Sequence, residues 1–227
     1  MSYFASEVNS GGKKNREYAV ANKLTFATKG INTVSLIGGG GAGKTELLRR
    51  THQILQGRYN IEVIQAGFRG EDDERRLSAL GIPTHQVNYG SLGFLKAQKI
   101  KAVTGRLKLN PGFLFIENPG NLYSPVGFDL GESCRVLVHS VPEGHDQPLK
   151  HWKLFTSVHL ILVNKIDLTP FTDFSWTRYA QNLKKIRSRA KVIKTSCRTG
   201  LGLTDWRKWL LEHFGGEVLE SSSSLWG

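Results

Sequence analysis

An α/β fold is predicted, a single doubly wound domain whose mostly parallel sheet carries helices on both faces, and three observations predict it. Near-continuous apolar runs of strand length alternate with helical patterns along the chain. The first run leads through a glycine-rich stretch directly into a helical segment, and that segment returns to a second apolar run. Runs without polar alternation suit strands buried on both faces, and a crossover between parallel strands needs a connection of helix length.

The elements follow in order. Residues 1–30 are polar with a weak helical pattern on Tyr18, Leu24 and Phe26, and Gly30 stops that helix. Ile31–Ile37 reads as a buried strand. Lys44–Leu55 places Leu47, Leu48, Ile54 and Leu55 at helical spacing, and Asn60–Gln65 is strand again, which completes a βαβ unit. Glu71–Leu80 reads as helix closed by Gly81-Ile82-Pro83, Thr84–Val87 as a short strand, and Phe94–Leu107 as an amphipathic helix. Four more strands follow at Phe113–Glu117, Arg135–Val141, Leu160–Val163 and Lys191–Thr195. The last helix, Leu203–Phe214, sets Leu203, Trp206, Leu210, Leu211 and Phe214 on one side, with Trp206 and Trp209 read as packing residues. The expected organisation is a helical extension over 1–30, the α/β domain over 31–214 and a low-complexity tail over 215–227 that holds Ser221–Ser224.

Bulk properties narrow the function classes. With 39% hydrophobic and 22% charged residues the chain reads as folded and globular. No apolar run approaches the ~20 residues of a membrane span, and Met1–Arg16 has no signal-peptide core, so a cytoplasmic protein without a membrane is expected. Cys134 and Cys197 belong to no CxxC or Cys/His cluster, which argues against a disulfide scaffold or zinc knuckle. The formal charge of +12 admits two readings, an anionic partner or a solvated surface. The basic run Lys184, Lys185, Arg187, Arg189 and Lys191 lacks interleaved aromatics, which argues against nucleic acid.

Gly38-Gly39-Gly40-Gly41-Ala42-Gly43-Lys44-Thr45 satisfies G-x-x-x-x-G-K-[ST] between a strand and a helix, the context that a P-loop NTPase requires. Glycines let the backbone fold around phosphates with its amides inward, and the helix N-terminus adds partial positive charge. Lys44 is expected on the β and γ phosphates and the Thr45 hydroxyl on Mg2+. Gly39, Gly40, Gly41, Ala42 and Gly43 are expected to line the nucleotide, with Glu46 in the first helical turn and pointing outward. Asn164-Lys165-Ile166-Asp167 follows an apolar strand at the end where open α/β sheets bind ligands. The Asp167 carboxylate can accept from both N1–H and the exocyclic amine of guanine, an arrangement adenine cannot match. Thr195-Ser196-Cys197-Arg198, at the end of the next strand, is set against the other edge of the base, with Ser196, Cys197 and Arg198 as contacts.

Between these two motifs stand Phe115-Ile116-Glu117-Asn118-Pro119-Gly120-Asn121-Leu122, Phe128-Asp129-Leu130-Gly131-Glu132, Glu143-Gly144 and Pro148-Leu149-Lys150. In this order and spacing they resemble the hydrogenase nickel-incorporation GTPases of the HypB family over most of residues 15–214, with the urease accessory GTPase more distant. The resemblance implies a doubly wound sheet, slow Mg2+-dependent GTP hydrolysis, GTP and GDP as ligands, a nucleotide-dependent homodimer, and a metalloenzyme precursor or another maturation protein as partner. It also implies that Glu117 holds a water on Mg2+ and that the Gly120 amide senses the γ-phosphate. By itself Glu117 is an acid at a strand end, a place that suits a metal–phosphate site or a cap on the following turn.

The chain departs from the family at the metal. The family's Cys-His pair falls on Gly93 and Phe94, and its third ligand, a Cys before Pro, falls on Ser124 in Tyr123-Ser124-Pro125. Glycine and phenylalanine bind neither nickel nor zinc, and a serine hydroxyl is a poor ligand for either, so no transition-metal site is expected. The family's metal-binding N-terminal segment has no counterpart in Met1–Lys29, and Gly67 stands where a switch Asp is usual. His145, Asp146 and His151 lie close together in one loop, with His139 on the strand before it, as a possible replacement site, and solvated loop histidines are the preferred reading. Two functions follow as expectations. One is a GTPase switch in metalloenzyme maturation, with Lys44, Thr45 and Glu117 as its catalytic residues. The alternative is a guanine-nucleotide-dependent module with vestigial hydrolysis that recruits an acidic protein.

Overall fold

The computed structural model describes residues 2–55, 58–67, 77–88, 95–120 and 128–215, with side chains from residue 12 onward. Seven strands form one sheet in which every pairing is parallel. They are β1 (Ile31–Ile37), β2 (Asn60–Ala66), β3 (Thr84–Val87), β4 (Gly112–Glu117), β5 (Cys134–Ser140), β6 (Leu160–Asn164) and β7 (Lys191–Lys194). The helices are α1 (Ser2–Thr28), α2 (Lys44–Leu55), α3 (Ala97–Thr104), α4 (Gln147–Lys150), α5 (Trp152–Ser157), α6 (Trp176–Lys185) and α7 (Leu203–His213). Among the described residues no helix is long and apolar enough to cross a membrane.

Period-two geometry explains how apolar strands build cores on both faces. Phe113 and Phe115 of β4 point to one face, where they meet Leu47 and Leu48 of α2 and Trp206 and Leu210 of α7. The alternate residues Leu114 and Ile116 point to the other face and pack with Phe26 of α1 and Ile100 of α3. Leu160 and Leu162 of β6 join the first core, while Ile161 and Val163 pack with Phe155 of α5 and Tyr179 of α6. Burying each such side chain stabilises the fold by roughly 1.5–3 kcal/mol. Trp206 and Trp209 are packing residues as expected, and the Trp206 indole N–H donates to Thr51 Oγ1 at 2.9 Å. The outermost strand β7 exposes Lys191 and Lys194, charges that discourage edge-to-edge pairing.

α1 is the longest helix, although its apolar pattern is weak, because buried polar groups fix it. Asn22 Nδ2 donates to the carbonyls of Ala97 and Leu130, both at 2.9 Å, and Asn15 accepts the Ala97 amide at 2.9 Å while donating to the Asp129 carbonyl at 2.7 Å. Gly131 passes so near that a Cβ there would lie 2.5 Å from the Ala19 carbonyl oxygen.

Several expected boundaries shift. The helix expected over Phe94–Leu107 is confined to Ala97–Thr104 among the described residues, because the chain turns at Gly105, whose amide closes on Lys101, and Phe94 lies outside them. Most of Glu71–Leu80 also lies outside; residues 77–78 are helical and Gly81 turns at φ +73°. β5 ends at Ser140 because Ser140 caps a 3-10 turn, Val141–Glu143, in which Pro142 offers no amide to a strand ladder. β7 ends at Lys194, and α7 ends one residue before Phe214. Ser221–Ser224, Gly93 and Ser124 also lie outside the described residues.

The strand order is β3-β2-β4-β1-β5-β6-β7. The chain winds outward from β1 on one side, returns to β4, then crosses to β5, so the winding reverses beside β1. Register aligns Leu36 with Glu117 and Ser140 with Asn164. The carboxyl ends of β1, β4 and β6 therefore open on one side of the sheet, where doubly wound folds bind ligands.

Candidate nucleotide site

The connection from β1 to α2 is a loop of glycines held in place by its neighbours. Gly41 and Gly43 adopt φ of +75° and +99°, conformations that side chains disfavour. A Cβ on Gly43 would meet Asn164 Nδ2 at 2.3 Å, and one on Gly39 would meet Glu143 Oε1 at 2.5 Å. Lys44 is buried, and its ammonium donates to the carbonyls of Gly38 at 2.9 Å and Gly39 at 3.1 Å, so the cation lies within the arch of its own loop. Thr45 Oγ1 donates to Glu117 Oε1 at 3.1 Å, and Gln65 Nε2 donates to Glu117 Oε2 at 3.0 Å. Glu117 thus joins the end of β4 to the phosphate loop through Thr45 and to β2 through Gln65. Two turns of chain meet closely here, since a Cβ on Gly120 would lie 3.0 Å from the Gly40 amide nitrogen. Gly40, Gly41, Gly43, Lys44, Thr45, Gln65, Glu117 and Gly120 border a cleft of about 500 Å3.

Glu46, expected to point outward, borders this cleft and turns its carboxylate along its own helix. Its carboxylate takes Arg49 Nε at 2.8 Å and Nη2 at 2.5 Å, and Arg50 lies 3.5 Å away. Gly67 borders the same cleft, and a Cβ built on it finds no atom within 4 Å.

A second cleft of about 520 Å3 adjoins the first, and Gly43, Glu46 and Lys165 line both. Asn164, at the end of β6, joins the two: its Nδ2 donates to the Ala42 carbonyl at 2.9 Å and its Oδ1 accepts the Cys197 amide at 3.1 Å. Lys165 takes the left-handed conformation, φ 60°, at the bend that follows. Asp167 Oδ1 accepts from Ser196 Oγ at 2.6 Å, which in turn accepts the Thr199 amide at 3.1 Å. Cys197 and Arg198 also line this second cleft. Burial, and after it the nearby Glu46 carboxylate, pushes the Cys197 thiol up to about 12, so it stays protonated and unreactive at neutral pH.

Every residue expected on the nucleotide, from Gly39 to Arg198, borders one of these clefts or bonds to a residue that does. Gln65 and Arg50 also border these clefts, and no motif in the strand Asn60–Gln65 or the helix Lys44–Leu55 marks either of them.

The histidines after the phosphate loop differ in burial. His139 is buried and stacks on Tyr179, with ring centroids 5.4 Å apart, and burial lowers its pKa. His145 accepts the Ser175 amide at 3.4 Å, and its own carbonyl accepts from Asn182 at 2.9 Å. His139 is thus a core residue of β5, whereas His145 is half-buried against α6 and the segment before it. Among the described residues no group of three or more His, Cys, Asp or Glu side chains could hold a metal ion.

Comparisons with known proteins agree with this geometry. The family described as "CobW/HypB/UreG, nucleotide-binding domain" matches residues 32–194. Hydrogenase maturation factor HypB of Azotobacter vinelandii is 37% identical over 87% of this chain and 65% of its own length. The Escherichia coli K12 protein of the same name is also 37% identical, over 87% and 68%. The chain thus spans about two thirds of the length of these curated relatives. The crystal structure of HypB from Archaeoglobus fulgidus superposes with a TM-score of 0.83 at 31% identity, covering 89% of this chain and 99% of that one. HypB from Helicobacter pylori in complex with nickel gives 0.81 at 26% identity, covering 89% and 95%. The chain therefore belongs to the CobW/HypB/UreG family, on its HypB branch, as the segments between the phosphate loop and Asn164 predict.

Proposed function

We propose that this chain binds GTP and hydrolyses it slowly with Mg2+, as a nucleotide switch in the maturation of a nickel metalloenzyme. One observation carries the reading: Asn164 bridges the phosphate loop and the 195–199 loop across adjoining clefts, which suits a ligand with both a phosphate chain and a base. Thr45 and Glu117 offer hard oxygen donors 3.1 Å apart beside the loop, a pair that fits Mg2+ and suits no soft metal. Bound with the nucleotide, Mg2+ supplies positive charge against the phosphate oxygens.

In this reading Lys44 leaves the Gly38 and Gly39 carbonyls and neutralises charge on the transferred phosphoryl group. Gln65 holds the Glu117 carboxylate in line with Thr45. Gly120, already against Gly40, is placed to move when the terminal phosphate is lost. Asp167, oriented by Ser196, accepts from the guanine N1–H and amine, and Lys165, Cys197 and Arg198 enclose the ring. A nucleotide-dependent homodimer and a maturation partner complete the proposal, as the family implies.

Nickel is the cargo of that pathway. Gly93, Phe94 and Ser124 replace the family's ligands, so metal is supplied by the partner. Competition binding tests the core of the reading: GDP should displace a fluorescent guanine nucleotide at concentrations at least about a hundredfold below ADP, the scale of discrimination by a buried polar reader. Equal displacement by ADP would remove the guanine assignment.

A further inference from the structure

Arg50 lies two turns into α2, beyond the phosphate loop, and its guanidinium meets the loop that follows β7. Nε donates to the Cys197 carbonyl at 2.7 Å and Nη2 donates to the Arg198 carbonyl at 3.0 Å, residues almost 150 positions further along the chain. Glu46, one turn earlier on the same helix, pairs with this guanidinium at 3.5 Å from Nε.

We propose that Arg50 is a positioning residue for guanine selectivity, acting through two peptide planes of the 195–199 loop. The inference rests on the guanine-nucleotide reading of this site. A peptide unit is planar, with its carbonyl and N–H pointing in opposite directions, so fixing one fixes the other. The carbonyl of Arg198 shares its peptide with the Thr199 amide, which donates to Ser196 Oγ at 3.1 Å. Ser196 Oγ in turn donates to Asp167 Oδ1 at 2.6 Å. Arg50 thus begins a chain of hydrogen bonds that ends on the base-reading carboxylate. The carbonyl of Cys197 shares its peptide with the Arg198 amide, which is therefore directed away from Arg50 and α2. Asn164 holds the preceding amide, that of Cys197, at 3.1 Å. With Asn164 on one side and Arg50 on the other, the backbone that borders the base cleft has a single orientation. Bidentate contacts from a guanidinium are charge-assisted and geometrically strict, which a lysine at this position does not reproduce.

The test uses the full chain and compares Arg50→Ala and Arg50→Lys with the natural protein. Dissociation constants are measured for GDP, for IDP, which lacks the exocyclic amine that Asp167 reads, and for tripolyphosphate, which has no base. The expected result for Arg50→Ala is a loss of about tenfold in GDP affinity, the scale of charge-assisted hydrogen bonds. Its GDP-to-IDP preference should fall toward one, and its tripolyphosphate affinity should stay within about twofold. Arg50→Lys should fall between the two proteins, since one ammonium reaches only part of the carbonyl pair. An unchanged GDP-to-IDP ratio in a natural protein that does prefer GDP would overturn the role of Arg50 alone. Equal losses for all three ligands would also overturn it, since they would mark a general effect on α2. A natural protein with no preference for GDP over IDP would overturn the guanine reading and this inference with it.

Discussion

Replacing Gly43 by alanine tests the closeness of the phosphate loop to Asn164. The new Cβ would stand 2.3 Å from Asn164 Nδ2, so the amide must withdraw and its 2.9 Å bond to the Ala42 carbonyl must break. Leaving that carbonyl unpaired costs about 1–3 kcal/mol. The residue also keeps φ near +99°, which strains an alanine by on the order of 1–2 kcal/mol. Gly41→Ala is the control, because its φ is +75° but nothing lies within 4 Å of its Cβ, so only the strain of about 1–2 kcal/mol applies. Urea denaturation should therefore show Gly43→Ala less stable than Gly41→Ala by about 1–3 kcal/mol. In an Asn164→Ala background the collision disappears, and the extra loss at Gly43 should disappear with it. Equal losses at Gly41 and Gly43, or full additivity of Gly43→Ala with Asn164→Ala, would refute the contact.

Gly67→Asp places a carboxylate where the resemblance sets a switch Asp, at a position with open space in the cleft that Thr45 and Glu117 also line. Mg2+-dependent GTP turnover should rise by about tenfold or more, measured as phosphate release, and no rise would separate this position from the Mg2+ site. His139 is buried on Tyr179, and burial sets its folded pKa below that of the unfolded chain. The unfolded state therefore binds the extra proton, and stability is full above about pH 6.5 and falls as the pH drops toward the folded value. His139→Phe should flatten this acid-side loss in denaturation curves taken between about pH 7 and 5, whereas parallel curves for both proteins would assign the loss elsewhere.

Much of this architecture is legible from local sequence because it depends on local rules. The apolar runs of β1, β4 and β6 show their burial directly, and the glycines before Lys44 announce a loop that bends where side chains cannot. Asn164 and Asp167 are visible as a motif, and Glu117 as an acid at a strand end. The bonds that turn these residues into one site are not local. Asn164 meets the Ala42 carbonyl across 122 positions, and Arg50 meets Cys197 across 147. No periodicity records such contacts. The length of α1 is hidden for a related reason: two asparagines, poor helix formers by themselves, fix it through buried bonds to Ala97 and to the segment at Asp129 and Leu130. The short helices α4 and α5 are too brief to show a period. His139 reads as one residue of a strand, and only its stacking with Tyr179 shows which core it joins.

The intact set of Lys44, Thr45 and Glu117 is the ground for treating this chain as a working GTPase and not a binding module with lost chemistry. Single-turnover hydrolysis with protein in excess over GTP, with and without Mg2+, tests that claim most directly. The account predicts conversion to GDP faster than the uncatalysed rate, dependent on Mg2+ and lost in Glu117→Ala; tight GTP binding with no turnover above the uncatalysed rate would contradict it.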